Sequence, residues 1–221
     1  MKELKIHFLN TIWSDAILLE SNNNFGFIDT GIDYQNPIFR NLDGSSRIVG
    51  IWDQTIQDGQ PPEGLSYGSE YTQEQIDAAL RNENPLGLVP SRDENGHGTT
   101  LASIACGSRM SGSSELENGS PANEGSNGSR VARTNYTGVA YEADILVIKL
   151  KQCKPYLRDY YLIPSDVPAY QSTDIIMALE YADQFARSFF RPVIFCLALG
   201  TSYGSHQTRG RSYLLCRRTS R

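Results

Sequence analysis

Two residues in the first hundred positions have the type and setting that acid–base chemistry needs. Asp29 ends the run FGFID and is followed by Thr30 and Gly31. A buried strand ending in a carboxylate delivers it to the carboxyl edge of a parallel sheet, where α/β sites are built. An Asp-Thr-Gly strand end also serves ordinary turn formation, because an Asp side chain bonds readily to nearby backbone N–H groups. His97 lies between Gly96 and Gly98, at the mouth of the apolar run TTLASIACG. The glycines permit close backbone approach, and the first turn of a helix favours a neutral, proton-accepting ring. A simple polar cap at a helix start is the competing reading of the same histidine.

The elements that must position these residues can be read from periodicity. LKIHFL, AILLE and FGFID open the chain as short β-rich runs, with the turn residues SNNN between the second and third. RIVGIW (47–52) is a further strand, and the segment DGQPPEGLSYGS after it is rich in turn residues. YTQEQIDAALRNE reads as a helix capped by Thr72, with Gln75 completing a capping box. A helix from about His97 to Ala105 stops at Gly107, which suits a left-handed cap. The continuous apolar run ADILVIKLK (143–151) predicts a strand buried on both faces. In 172–190, Ile175, Ile176, Leu179, Ala182 and Ala186 recur at helical spacing behind the caps Ser172 or Thr173, and PVIFCLALG (192–200) predicts another buried strand. This alternation predicts an α/β fold with a doubly wound, mostly parallel sheet.

Composition sets broader bounds. With 221 residues, 39% hydrophobic and 20% charged side chains and a formal net charge of −5, the chain has the profile of one ordinary globular domain. That balance points to neither nucleic acid nor a membrane surface as partner. His7, Asn10, Ser14 and Asp15 interrupt the opening stretch, so no signal peptide or membrane span is read, and cytoplasmic residence is the default. Cys106, Cys153, Cys196 and Cys216 have no metal-ligand spacing and read as free thiols. Residues 108–136 are mostly Ser, Gly, Asn and Glu over much of their length, and predict a flexible surface insertion whose deletion leaves the fold intact.

Four ordered motifs, IDTGID, DENGHGTTLASIACG, TGVAYEADILVIKL and IFCLALGTSYGS, resemble those of the subtilisin-like serine proteases, the subtilases of peptidase family S8. The resemblance covers about residues 26–206 and is nearest to Firmicutes members, which include the Csp-type proteases. It implies a subtilisin-type fold and a hydrolase that cleaves peptide or protein substrates by an Asp-His-Ser mechanism; no cofactor and no metal-ligating residues are read from the sequence, and calcium binding is left open. Asp29 would orient the ring of His97, and His97 would take the proton of an attacking serine. Ala198, Leu199 and Gly200 would belong to the strand that pairs with an extended peptide, with Ala198 standing where the family usually shows Ser. Thr100 stands where many members carry a second His.

Two of the family's pieces have no counterpart. No asparagine follows Asn135 to donate to the oxyanion, and Gly-Thr-Ser occurs only at 200–202, leading into YGSHQTRG, which cannot begin an apolar helix. Ser202 is therefore read as a loop residue and not as the nucleophile. The chain is expected to be inactive, with the C-terminal part of the fold missing. Residues 207–221, with five arginines and no acid, read as a basic tail outside the family pattern. Residues 1–25 are of separate character: IHFLNTIWSDAILLESNNNFGFIDTG is similar to the opening strands of metallo-β-lactamase-fold hydrolases. A working metallohydrolase would need a cluster of histidine ligands, and only His7, His97 and His206 are present. A non-catalytic subtilase-like protein that binds peptides or a partner is the alternative to the protease.

Overall fold

The computed structural model describes residues 24–108, 137–189 and 193–200. The strands expected before residue 24, residues 109–136 of the expected insertion, the basic tail and Ser202 lie outside the described residues. Among the described residues, five strands form one mixed sheet: β1 (Asn24–Asp29), β2 (Ile48–Asp53), β3 (Ser69–Thr72), β4 (Asp144–Lys149) and β5 (Val193–Cys196). Their order is β3-β2-β4-β1-β5; β1, β2, β4 and β5 run parallel, and β3 is antiparallel to β2 at one edge.

Side-chain alternation explains why the sheet takes a layer on each side. Phe25 and Phe27 of β1, Ile145 and Val147 of β4 and Ile51 of β2 share a core with Ile76 and Ala79 of helix α1 (Gln73–Leu80) and with Ala102 and Cys106 of helix α3 (His97–Cys106). The intervening residues Ile28, Leu146, Ile148 and Trp52 point to the other side, where Ala178, Leu179, Tyr181 and Ala182 of helix α5 (Ser172–Phe189) cover them. The period of two in each strand therefore feeds two cores, and each fully buried large side chain contributes roughly 1.5–3 kcal/mol. Two short helices, α2 (Pro85–Leu88) and α4 (Pro155–Tyr161), lie in the connections.

The capping box of α1 forms, with Gln75 Oε1 accepting from the Thr72 N–H at 2.9 Å. Other expectations need correction. Gly107 is not left-handed: it has φ −57°, and its N–H bonds to Ser103. The left-handed glycine lies at the other end of the helix, where Gly96 is the N-cap at φ 82°. The strand expected over 192–200 is shorter; β5 pairs only with β1 and is half-buried in alternation, as befits an edge among the described residues. On α5, Ile176 is 55% exposed while Ala178 and Tyr181 are inside, because a strict helical repeat from Ile175 passes through 178, 179 and 182.

A buried arginine ties the end of α3 to the segment that leads into β4. Arg47 Nη1 donates to the carbonyl of Cys106 and the hydroxyl of Ser108, while Nη2 donates to the carbonyls of Ala140 and Ala143. Gly138 N–H also bonds to Gly107 O at 2.9 Å. The two ends of segment 109–136 are thus joined by backbone and by one guanidinium.

Candidate active site

The carboxyl edge of the sheet carries a charged row. The strand register pairs Asp29 with Lys149 and Lys149 with Asp53, so three ionisable side chains sit side by side at the ends of β1, β4 and β2. All three are buried. The loop before α3 lies against this row and is held to it by short polar contacts. Ser91 Oγ donates to Asp53 Oδ2 at 2.6 Å, and the hydroxyl of Tyr34 donates to the carbonyl of Val89 at 2.9 Å. The Lys149 ammonium stands 3.7 Å from Asp53 and 3.5 Å from Glu94.

This loop delivers His97. Its Nδ1 lies 2.7 Å from Oδ1 of Asp29, whose side chain is 1% exposed, whereas the histidine side chain is 44% exposed. A carboxylate accepts only, so this contact places the ring proton on Nδ1 and leaves Nε2 as the acceptor. The Thr30 N–H donates to the same oxygen of Asp29 at 2.7 Å. Oδ2 of Asp29 is buried and has no hydrogen-bond partner among the described residues. The pair can therefore accept a proton at a ring nitrogen while a buried negative charge stabilises the resulting imidazolium.

Close packing makes the contact possible. A Cβ on Gly98 would overlap the carbonyl oxygen of Gly31 and come within 3.2 Å of the Asp29 Cβ. Gly31 itself has φ 121°, and a side chain there would stand 2.8 Å from the Arg92 carbonyl oxygen. Glycine at both positions lets the start of α3 seat directly on the end of β1.

Several polar residues that sequence reasoning did not single out complete the site. Asp93 accepts from the backbone N–H groups of Asn95, Gly96 and Thr99 and from the hydroxyls of Thr99 and Thr30. Burial acts to raise the Asp93 carboxyl, but the hydrogen bonds from Thr99, Thr30 and Gly96 outweigh it and hold it below the ordinary carboxylate value. Tyr170 and Cys196 both feel the charge of Asp29; burial first, then that charge, raises each. An aspartate four residues before a histidine at a helix start, in a Gly- and Asn-rich turn, was the available signal for Asp93, since such side chains bond to backbone N–H groups just downstream.

Ala198, Leu199 and Gly200 follow β5 outside any regular strand; Ala198 and Gly200 are exposed and Leu199 packs partly on the α5-side core. Cys106 and Cys153 are buried free thiols and Cys196 is a half-buried one. Among the described residues, no group of three or more His, Cys, Asp or Glu is placed to hold a metal ion, and no helix is long and apolar enough to cross a membrane.

A mostly parallel sheet with helices on both faces and an Asp–His pair at its carboxyl edge is the architecture of an α/β domain consistent with a subtilase-like fold. Residues 25–214 match the subtilase family, Peptidase_S8, and the chain belongs to that family. It is similar to the solved structure of the Clostridium perfringens CspB protease, with a TM-score of 0.58 and 27% identity, over 85% of this chain and 31% of that chain. The chain thus spans about a third of the length of that distant Csp-type relative. Among curated proteins, none matches it.

Proposed function

We propose that the chain carries the acid–base half of a subtilase site, with Asp29 and His97 in the roles of orienting carboxylate and general base. The observation that carries this reading is the 2.7 Å contact between His97 Nδ1 and the buried Asp29. Presented with a serine, His97 Nε2 would take the hydroxyl proton as the oxygen attacks a peptide carbonyl, and Asp29 would stabilise the imidazolium. The 221 residues supply neither an oxyanion asparagine after Asn135 nor a Gly-Thr-Ser nucleophile motif other than the one at 200–202. Loss of the nucleophile lowers turnover in such sites by about a millionfold. Family membership supports reading the protein as a serine endopeptidase of Asp-His-Ser type, and the two missing pieces support reading these 221 residues alone as catalytically silent.

The same observations favour one second reading, a subtilase-like protein that binds extended peptides or a partner protein and cleaves nothing. Residues 198–200, half-buried or exposed and following the strand β5, are the segment such a peptide would pair with. Assays with unfolded protein and extended peptide substrates separate the two. Turnover indistinguishable between the natural chain and His97→Ala is expected. Cleavage that depends on both His97 and Asp29 would show that these residues contain a nucleophile after all. Saturable peptide binding without cleavage, weakened by Gly200→Pro, is the signature of the binding protein.

A further inference from the structure

We infer that Asp93 is the positioning residue of the Asp29–His97 pair, acting on both partners without belonging to the reacting set. The inference rests on reading that pair as an acid–base couple. Five hydrogen bonds converge on the Asp93 carboxylate. Four come from the chain on either side of His97: Asn95 N–H at 3.2 Å and Gly96 N–H at 2.9 Å before it, and Thr99 N–H at 2.8 Å and hydroxyl at 2.6 Å after it. The fifth, from the Thr30 hydroxyl at 2.7 Å, reaches the residue whose own N–H holds the Asp29 oxygen that His97 contacts. Thr30 Oγ1 then accepts from the Gly98 N–H at 3.0 Å, closing the circuit between β1 and α3. A single carboxylate therefore fixes the backbone around the histidine and the strand end that carries its partner.

The local sequence explains why such a hold is needed. His97 sits between two glycines, one of them at φ 82°, and glycine leaves the backbone with the most freedom to lose. A ring half open to solvent stays within hydrogen-bond range of Asp29 only if its Cα is held from outside, and misplacements of about 1 Å are costly at such sites. The chemistry of the hold is specific to a carboxylate. It offers acceptors only, on about four lone-pair sites, and all five contacts are donors. An asparagine would turn an NH₂ toward one set of them. Thr99 extends the hold by one link, since its hydroxyl oxygen also accepts from the Asp33 N–H at 2.9 Å.

An ordinary capping residue would stabilise α3 and do no more. The two roles separate by proton NMR of the full chain with ¹⁵N-labelled histidine, which holds three histidines in all. In the natural protein one far-downfield ring N–H signal is expected in the cold, and it vanishes in Asp29→Asn. Asp93→Asn and Asp93→Ala should move that signal upfield and speed its exchange with water by about tenfold or more, the effect of losing a charged hydrogen bond on local opening. Thr99→Val should act in the same direction and Thr99→Ser should restore the natural signal. Tyr34→Phe, which removes the bond to Val89 in the same loop, serves as the stability control and should leave the signal in place. An unchanged signal in the Asp93 variants overturns the inference and leaves a cap. Equal loss in Tyr34→Phe at equal stability overturns it too. A natural protein with no Asp29-dependent signal shows instead that the pair itself is misread, and the inference goes with it. If Asp93→Ala does not fold, Asp93→Asn and the Thr99 variants, which remove only part of the circuit, decide between the two roles in the same way.

Discussion

Gly98 of α3 faces the carbonyl oxygen of Gly31 so closely that a Cβ on Gly98 would overlap it. This contact, one residue beyond His97 and two beyond Asp29, sets the spacing at which those two side chains meet. Gly98→Ala must push α3 away from the end of β1, and overpacking of this kind costs about 1–3 kcal/mol. An unfolding free energy lowered by that amount in urea denaturation, together with loss of the Asp29-dependent histidine signal, is the expected result. A variant as stable as the natural chain would show that the close approach is not needed.

Arg47 joins the chain on both sides of segment 109–136 by donating to the carbonyls of Cys106, Ala140 and Ala143. Burial lowers the pKa of this guanidinium, with the negative charges of Asp144 and Glu142 acting against it, and arginine is so basic that it keeps its charge. Arg47→Ala leaves those acceptors without their donor and should cost about 3 kcal/mol or more. Urea or thermal unfolding measures it directly, and a loss under about 1 kcal/mol, the size of a single ordinary hydrogen bond, would contradict this role.

With the ends of the 109–136 segment already joined by the Gly138 to Gly107 bond, a short Gly/Ser turn can replace the segment. The fold should persist, and its stability should be unchanged or higher by up to about 1–2 kcal/mol, since each halving of a loop returns roughly 0.6 kcal/mol. Loss of a cooperative unfolding transition in the shortened chain would show that the segment contributes to the core.

The Asp93 carboxyl is held below its ordinary value: burial opposes this, but the hydrogen bonds from Thr99, Thr30 and Gly96 outweigh it. A carboxyl depressed on folding contributes stability that is complete above its unfolded value of about 3.9 and is lost as pH falls through the lower folded value. The natural chain should therefore exceed Asp93→Asn in stability at neutral pH, and the difference should shrink only below about pH 4. Urea midpoints for both proteins across the acid range test this. A difference that already fades well above that range, near neutral pH, would point to another group.

The sequence was most legible where one periodicity dominated. The run DILVIK had to be a central strand because both of its faces are apolar, and α5 had to be a helix because Ile175, Leu179 and Ala182 return at its spacing. The pairing of Asp29 with His97 was an expectation of the subtilase resemblance alone, since the local setting of each residue fits turn formation or a polar cap as well. Strand β3 was not, because its four residues Ser-Glu-Tyr-Thr lie at the end of a turn-rich stretch and owe their conformation to pairing with β2. Helix α4, PYLRDYY, has no buried residue and so no apolar stripe to announce it; Arg158 closes the loop beyond it by donating to the carbonyls of Pro164 and Val167. The polar circuit around Asp93 depends on a contact across 63 positions to Thr30, and no local pattern records a contact of that range.

The central claim is an assembled Asp29–His97 pair without a serine to activate, and a fluorophosphonate probe tests it most directly, because such reagents label only an activated serine. The natural chain, Asp29→Asn, His97→Ala and Ser202→Ala would be treated in parallel and the labelled residue mapped by mass spectrometry. Labelling no greater in the natural chain than in the variants is the predicted result. Strong labelling at Ser202, abolished by His97→Ala, would make Ser202 the nucleophile of a working site and contradict the account.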